Sequence, residues 1–401
     1  MSLAYGRQYL AIPGPSVMPD RVLAAMHRAA PNIYTGALVE MVAGMWPDLK
    51  AVAGTGAHLA AYIANGHGVW EAANCNLFSR GDKALVLACG NFGHGWANSA
   101  RALGIEVEVL DFGRAAPDMG RVEAALRADK AGDIKAVLTT HVDTASSVLT
   151  DIPALRAAMD AAGHGALLAV DCIASLGCDV YRMDDWGVDV TVSGSQKGLM
   201  TPPGMGFVWF SEAARARSTG SDLRTPYWDW TARAEPAEFW QYWNGTAPTH
   251  HLFGLREALT MILHDEGLEA VWARHAALAQ AVWAAFDAWS AGNPMIGMNV
   301  PDARHRSRAV TAARFGAPDA TRLRQWCEEK AGVTLGIGLG MGTPEDPQAS
   351  GFLRLGHMGH VNAHMVLGAL AAMEAGMVAL GIAHGPGGLA AAAAVIGRAA
   401  G

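Results

Sequence analysis

The chain has 401 residues, 51% of them apolar and 17% charged, enough for two domains around a sizeable buried core. Its formal net charge is −7 and no block of Lys or Arg stands out, so a phosphate backbone has nothing to bind and no nucleic-acid partner is expected. The five cysteines (Cys75, Cys89, Cys172, Cys178, Cys327) are scattered without zinc-ligand spacing; they read as reduced thiols of a cytoplasmic protein, with no metal site.

The opening residues, MSLAYGRQYLAIPGP, lack the charged start and apolar core of a signal peptide. From about residue 50 to 212, short apolar runs alternate with helical spacing, which predicts an α/β fold with a mainly parallel sheet between helices. The first element with chemical content is ANGHGVWEAA (Ala64–Ala73), a glycine turn opening a helix towards Leu77. Free N–H groups at Gly66, His67 and Gly68 and the positive end of the helix suit an anion, although such turns are more often only turns. A strand over Lys83–Cys89 leads into GNFGHGW, where Phe92 either stacks on a flat ring or packs in the core. A helix over Arg121–Ala128 and a strand over Ile134–Thr140 come next, then THVDTASS, where Thr144 either bonds a ligand or shapes a turn.

A helix over Ile152–Ala162 and a strand over Ala166–Val170 run into VDCIAS, and Lys197 of SGSQKGL follows Asp171 by 26 positions. Asp171 closes its strand, and the next strand, Val188–Val192, ends in a small-residue turn presenting Lys197 at the same sheet edge, where ligands of open α/β folds bind. A lysine amine and a carboxylate so placed suit pyridoxal phosphate: the amine forms an imine with the aldehyde, and the acid keeps the pyridine nitrogen protonated. A salt bridge between two strand ends is the bland alternative.

Asp222–Thr249, rich in Trp and Tyr, reads as an irregular packed connection, followed by helices over Leu252–Asp265 and Leu268–Trp289. A smaller α/β unit is predicted from strands over Arg308–Arg314, Val333–Ile337 and Phe352–His357 and a helix over Asp319–Lys330. The Gly-x-Gly-x-Gly of Gly338–Gly351 lies outside any βαβ unit and is not a nucleotide motif. Met365–Ala383 is almost wholly apolar and long enough to span a membrane, but Glu374 at its centre and its Gly and Ala content favour a helix packed between domains; no membrane partner is expected. The Ala-rich tail after Pro386 predicts a terminal helix.

These elements, in this order, resemble the class V, fold-type I aminotransferases, in particular the alanine–glyoxylate and serine–glyoxylate branch. The resemblance runs from IPGPSVMPDRVLAAM (Ile12–Met26) through SQKGLMTPPG (Ser195–Gly204), TAPTHHLFGLREAL (Thr246–Leu259) and EGLEAVWARH (Glu266–His275) to FLRLGHMGHVN (Phe352–Asn362) and GIAHGPGGLAAA (Gly381–Ala392). It implies a large cofactor-binding domain of residues 16–262 and a small domain made of 1–15 and 263–401. It implies that Lys197 carries pyridoxal 5'-phosphate, that Asp171 meets the ring nitrogen with Ile173 beside it, and that Phe92 stacks on the ring. Gly66, His67 and Gln196 would cradle the phosphate and Thr144 would lie near the ring hydroxyl. Thr246 would reach the phosphate of the other subunit of a homodimer with shared active sites. Arg354 would grip the substrate α-carboxylate, for which a planar fork of donors is suited, and Gly14 would bring backbone close to substrate.

The implied activity is ping-pong transamination from serine or alanine to glyoxylate or pyruvate, with the freed lysine, neutral beside positive neighbours, carrying the α-proton. The chain departs from the family at Asn65, where serine is usual, at Trp243, where a phosphate-binding tyrosine is usual, and at Asn32–Gly36, which lacks a His-Arg pair. Its Gly338–Gly351 loop is also longer than usual. Two other readings are a lyase or desulfurase on the same fold, for which Cys327 sits in a helical pattern rather than a loop, and a non-catalytic binding protein, which would have lost Lys197, Asp171 or Arg354.

Overall fold

Strand Lys83–Ala88 shows why the apolar runs are continuous: Leu85 and Leu87 enter one core layer, Ala84 and Val86 another, so both faces are covered. The computed structural model describes residues 1–401 and contains twelve strands. In chain order they are β1 (Tyr9–Ala11), β2 (His58–Tyr62), β3 (Lys83–Ala88), β4 (Glu106–Asp111), β5 (Ile134–Thr140), β6 (Leu167–Asp171), β7 (Val190–Gly194) and β8 (Gly206–Phe210), then β9 (Gly297–Met298), β10 (Val310–Arg314), β11 (Val333–Ile337) and β12 (Phe352–Gly356).

The larger sheet has the order β2-β8-β7-β6-β5-β3-β4. The central pairs are parallel, and β8 is antiparallel to both β2 and β7. Two reversals restore direction, so β2 ends at the same edge as β3, β5, β6 and β7. With β4, parallel to β3, that edge collects the turns after six strands. The smaller sheet, β1-β11-β12-β10-β9, draws β1 from the start of the chain and pairs it parallel with β11. The mainly parallel α/β architecture expected from the alternation is present.

Strand ends differ from the sequence pattern by one or two residues; β7, for example, continues two residues further, to Gly194. The helix expected over Leu252–Asp265 is α-helical only over Thr249–Leu259 and widens to a π turn over Thr260–Glu266 before Gly267 at φ 87°. The one expected over Asp319–Lys330 likewise widens after Trp326 and stops at Gly332, φ 71°. In both cases a glycine at positive φ stops the helix, and Gly332 does so in the left-handed helical conformation. The aromatic connection contains a short helix, Trp230–Ala234, and a 3-10 turn, Phe239–Tyr242. Its pin is Arg233, fully buried against the Tyr62 and Tyr227 rings and donating to the carbonyls of Ala61, Tyr227 and Tyr242.

The apolar helix Ala363–Leu380 is long and apolar enough to cross a membrane, yet one face of it packs against the protein interior. Leu370, Met373 and Met377 are buried in the core around the smaller sheet. Glu374 accepts from Trp289 Nε1 (2.9 Å) and Leu389 N (3.1 Å), so the carboxylate ties three helices together.

Candidate active site

Eight residues singled out in the sequence—Gly66, His67, Phe92, Thr144, Asp171, Ile173, Gln196 and Lys197—line one cavity of about 230 Å³ at the common strand edge. They come from the ends of five strands, β2, β3, β5, β6 and β7, at the edge where ligands of open α/β folds bind. All five cysteines are free and buried, and Cys327 lies in the helical segment Cys327–Ala331, so no thiol serves this cavity.

Lys197 is held from below by the chain start. Its amine donates to the Pro13 carbonyl, Ser16 Oγ donates to the Lys197 carbonyl (2.7 Å), and Ser16 N donates to the Gln196 carbonyl (2.9 Å). Gly14 packs so closely that a Cβ there would collide with the lysine stem, and its φ of +95° also favours glycine. Burial first, then the charge of Arg354, lowers the Lys197 pKa from 10.5 to about 8.

Asp171 makes no ion pair with Lys197 within 4.0 Å, which removes the strand-end salt bridge. Instead its carboxylate accepts from Trp70 Nε1 (2.9 Å) and Ile173 N (2.7 Å). Burial pushes its pKa up to about 7, against the pull of those two donors. The acid is therefore fixed in place and has a raised affinity for a proton.

Arg354 sits on β12, buried, with Nε donating to the Ile337 carbonyl (2.8 Å) and Nη1 to the Thr144 carbonyl (2.9 Å). Both partners are neutral, and Nη2 has no partner in the chain. Burial lowers its pKa to about 10, with Asp143 pulling the other way. Thus two buried cations and two buried carboxylates, Lys197, Arg354, Asp171 and Asp143, share this region without one direct ion pair. Buried charge left unpaired is costly, and such arrangements mark functional sites.

The helix Gly66–Leu77 supplies the anion cradle. The N–H groups of Gly66 and His67 have no partner in the chain, as the turn predicted. Gly68 does not share this role: its N–H donates to Asn65 Oδ1 (3.2 Å), because Asn65 caps the helix. The departure at Asn65 is therefore a cap. Gln196 contributes a buried Oε1 without a partner. A Cβ on Gly66 would collide with Ile173, so the turn lies directly against the strand end that bears Asp171. Free donors at one end and an oriented acid and an amine along the wall fit a flat phosphorylated pyridine aldehyde.

Phe92 lies in the first turn of the helix Asn91–Ala102, half-buried and edge-on to Trp70 at 6.4 Å. Thr246 is exposed and lies outside this cavity. Trp243, in place of the usual tyrosine, is buried in the core, and neither it nor Tyr242 reaches the cavity. The segment around Ile33 and Tyr34 joins Phe239, Trp240, Gly245 and Ala247 around a separate small surface cavity, beside Thr246.

Three contributors escaped the sequence reading: Trp70, Val142 and Asp143. Trp70 follows Gly66 by four residues on one helix, a spacing that puts both on the same face and was a usable signal. Asp143 gave only the signal of a local turn, because two of its partners, Ala145 N and Ser146 N, lie beside it while the two that tie it to the site, Phe92 N and Gly93 N, are backbone groups of another turn.

The depressed Lys197 pKa has a direct consequence. An amine is nucleophilic when neutral, so modification of Lys197 by a small aldehyde, followed by peptide mapping, should accelerate with pH through a midpoint near 8. Arg354→Ala should move the midpoint up. A midpoint near that of an exposed lysine would contradict the burial.

A model of the family described as aminotransferase class-V matches residues 65–356. The chain is 36% identical over 395 residues to serine–glyoxylate aminotransferase of Methylorubrum extorquens, covering 95% of this chain and 94% of that one. It is 34% identical over 389 residues to L-aspartate–glyoxylate aminotransferase of Paracoccus denitrificans, covering 92% and 91%. Among solved structures, pyridoxamine–pyruvate aminotransferase from Mesorhizobium loti superposes with a TM-score of 0.86 at 27% identity, covering 99% of this chain and all of that one.

Proposed function

The chain belongs to the class-V aminotransferases, and from that premise we propose that it moves an amino group from a small amino acid, serine or alanine, to glyoxylate or pyruvate. The family depends on pyridoxal phosphate, which when bound supplies the electron sink for chemistry at the substrate α-carbon. The observation that carries the reading is the pairing, in one cavity and without an ion pair, of a lysine with a pKa lowered to about 8 and an oriented, buried aspartate.

Lys197 is proposed as the cofactor's covalent anchor and as the amine that takes and returns the substrate α-proton; its lowered pKa keeps a usable neutral fraction near pH 7. Asp171 is assigned the ring nitrogen, with Trp70 and Ile173 orienting the acid. Gly66, His67 and Gln196 are assigned the phosphate, Phe92 the ring face, Thr144 the ring hydroxyl and Ile173 the wall beside Asp171. Arg354 offers its free Nη2 edge to the substrate carboxylate, and Gly14, which leaves room for the Lys197 side chain, is assigned backbone contact with the substrate.

Thr246 is assigned to a neighbouring subunit's phosphate in a homodimer. Exposed Tyr34 and Trp240 beside it support that face as the contact, since large exposed aromatics favour interfaces. Sedimentation should give at least a dimer; a monomer that turns over substrate would sink this assignment.

The function is tested by a panel of amino donors, free pyridoxamine included, against glyoxylate and pyruvate. Purified protein should be yellow and should bleach in single turnover with serine or alanine. Turnover confined to pyridoxamine and pyruvate would assign it the chemistry named for the Mesorhizobium protein instead.

A further inference from the structure

Asp143 is a fully buried carboxylate with no cation within 4.0 Å, and the roles proposed above do not use it. Its Oδ2 accepts from Phe92 N (2.8 Å) and Gly93 N (3.1 Å), the opening N–H groups of the helix Asn91–Ala102. Its Oδ1 accepts from Ala145 N (2.9 Å) and Ser146 N (3.3 Å), within its own turn. One carboxylate therefore joins the turn after β5 to the helix start after β3. Gly90 is part of the device: a Cβ there would collide with the Asp143 carboxyl group.

The same turn also reaches the smaller sheet. The Thr144 carbonyl takes Arg354 Nη1 at 2.9 Å. Ser147 Oγ accepts from Ala312 N (3.2 Å), and Ala312 is the cross-strand partner of Arg354 between β10 and β12. Asn299 Nδ2 donates to the Ser146 carbonyl at 2.7 Å. Held by charge-assisted bonds on one side and by the smaller sheet on the other, the turn sets where the guanidinium points.

We propose that Asp143 is a positioning residue for the carboxylate clamp: it fixes the turn whose Thr144 carbonyl aims Arg354, and it locks that turn to the helix start bearing Phe92. The proposal rests on the reading that Arg354 takes the substrate α-carboxylate. Specificity for α-carboxylates is then set by a residue that never touches one.

The test compares Asp143→Asn, Gly90→Ala and Arg354→Ala in the holoenzyme, with propionate as a competing carboxylate that cannot react. Asn has one acceptor oxygen and turns its amide hydrogens towards N–H donors; Gly90→Ala keeps the acid but crowds it. Each change should raise KM for the amino donor and the propionate inhibition constant about tenfold, with kcat within about threefold, as expected for lost carboxylate binding. In an Arg354→Ala background, Asp143→Asn should add less than about twofold, because both act through one group.

A merely structural role would lower the melting temperature and leave both constants alone, and that pattern in Asp143→Asn and Gly90→Ala overturns the proposal. A propionate constant indifferent to Arg354→Ala removes instead the reading beneath it.

Discussion

Lys197→Ala should keep pyridoxal phosphate without a covalent link and lose turnover by about ten-thousandfold or more, since anchor and proton carrier vanish together and general acid–base catalysis alone supplies roughly a hundredfold to ten-thousandfold. Cofactor retention follows from what the change leaves intact: the free N–H groups of Gly66 and His67, and Asp171 held by Trp70 and Ile173. Borohydride reduction and peptide mapping should label Lys197 in the wild type and no lysine in the variant. The fold should survive, because the amine donates to one carbonyl and makes no ion pair within 4.0 Å. Near-normal transamination by the variant, or a reduced adduct on another lysine, would overturn the assignment.

Asp171→Asn is the second large effect. An amide cannot carry the negative charge that holds a proton on a ring nitrogen, so turnover should fall by about a hundredfold to a thousandfold, the range for losing one preorganised electrostatic partner. Stability should change with pH. With its folded pKa raised to about 7, above the ordinary carboxylate value, the acid favours folding most when protonated; that contribution is lost as pH rises from about 4 through 7. At neutral pH the wild-type carboxylate is thus a strain on the fold; Asn removes that strain but turns its amide hydrogens towards Trp70 Nε1 or Ile173 N, so its melting temperature relative to the wild type should rise as pH rises from about 4 through 7. A variant that loses activity only in step with a falling melting temperature would mark Asp171 as structural. So would one with unchanged turnover.

Much of this site is local in the sequence. Asp171 and Lys197 were legible because one closes an apolar strand and the other sits in the turn after the next, and parallel strands bring their carboxyl ends to one edge. Gly66 and His67 were legible because an α-helix always leaves its first N–H groups unpaired. The widened helix ends near Gly267 and Gly332 were not, because the choice between α and π turns depends on what the last turn packs against.

The sequence by itself determined the fold class and which lysine, acid and glycine turn meet at one sheet edge, all of them set by periodicity and by groups at strand or helix ends. Only the tertiary structure decided how those groups are charged and aimed. Burial by distant segments lowers the Lys197 pKa and raises that of Asp171; Pro13 and Gly14 close beneath the amine only because β1 pairs with β11. Trp70 reaches Asp171 across 101 positions, and the Thr144 carbonyl aims Arg354 across 210. Desolvation and hydrogen-bond direction depend on all the neighbours at once, and no window along the chain contains them.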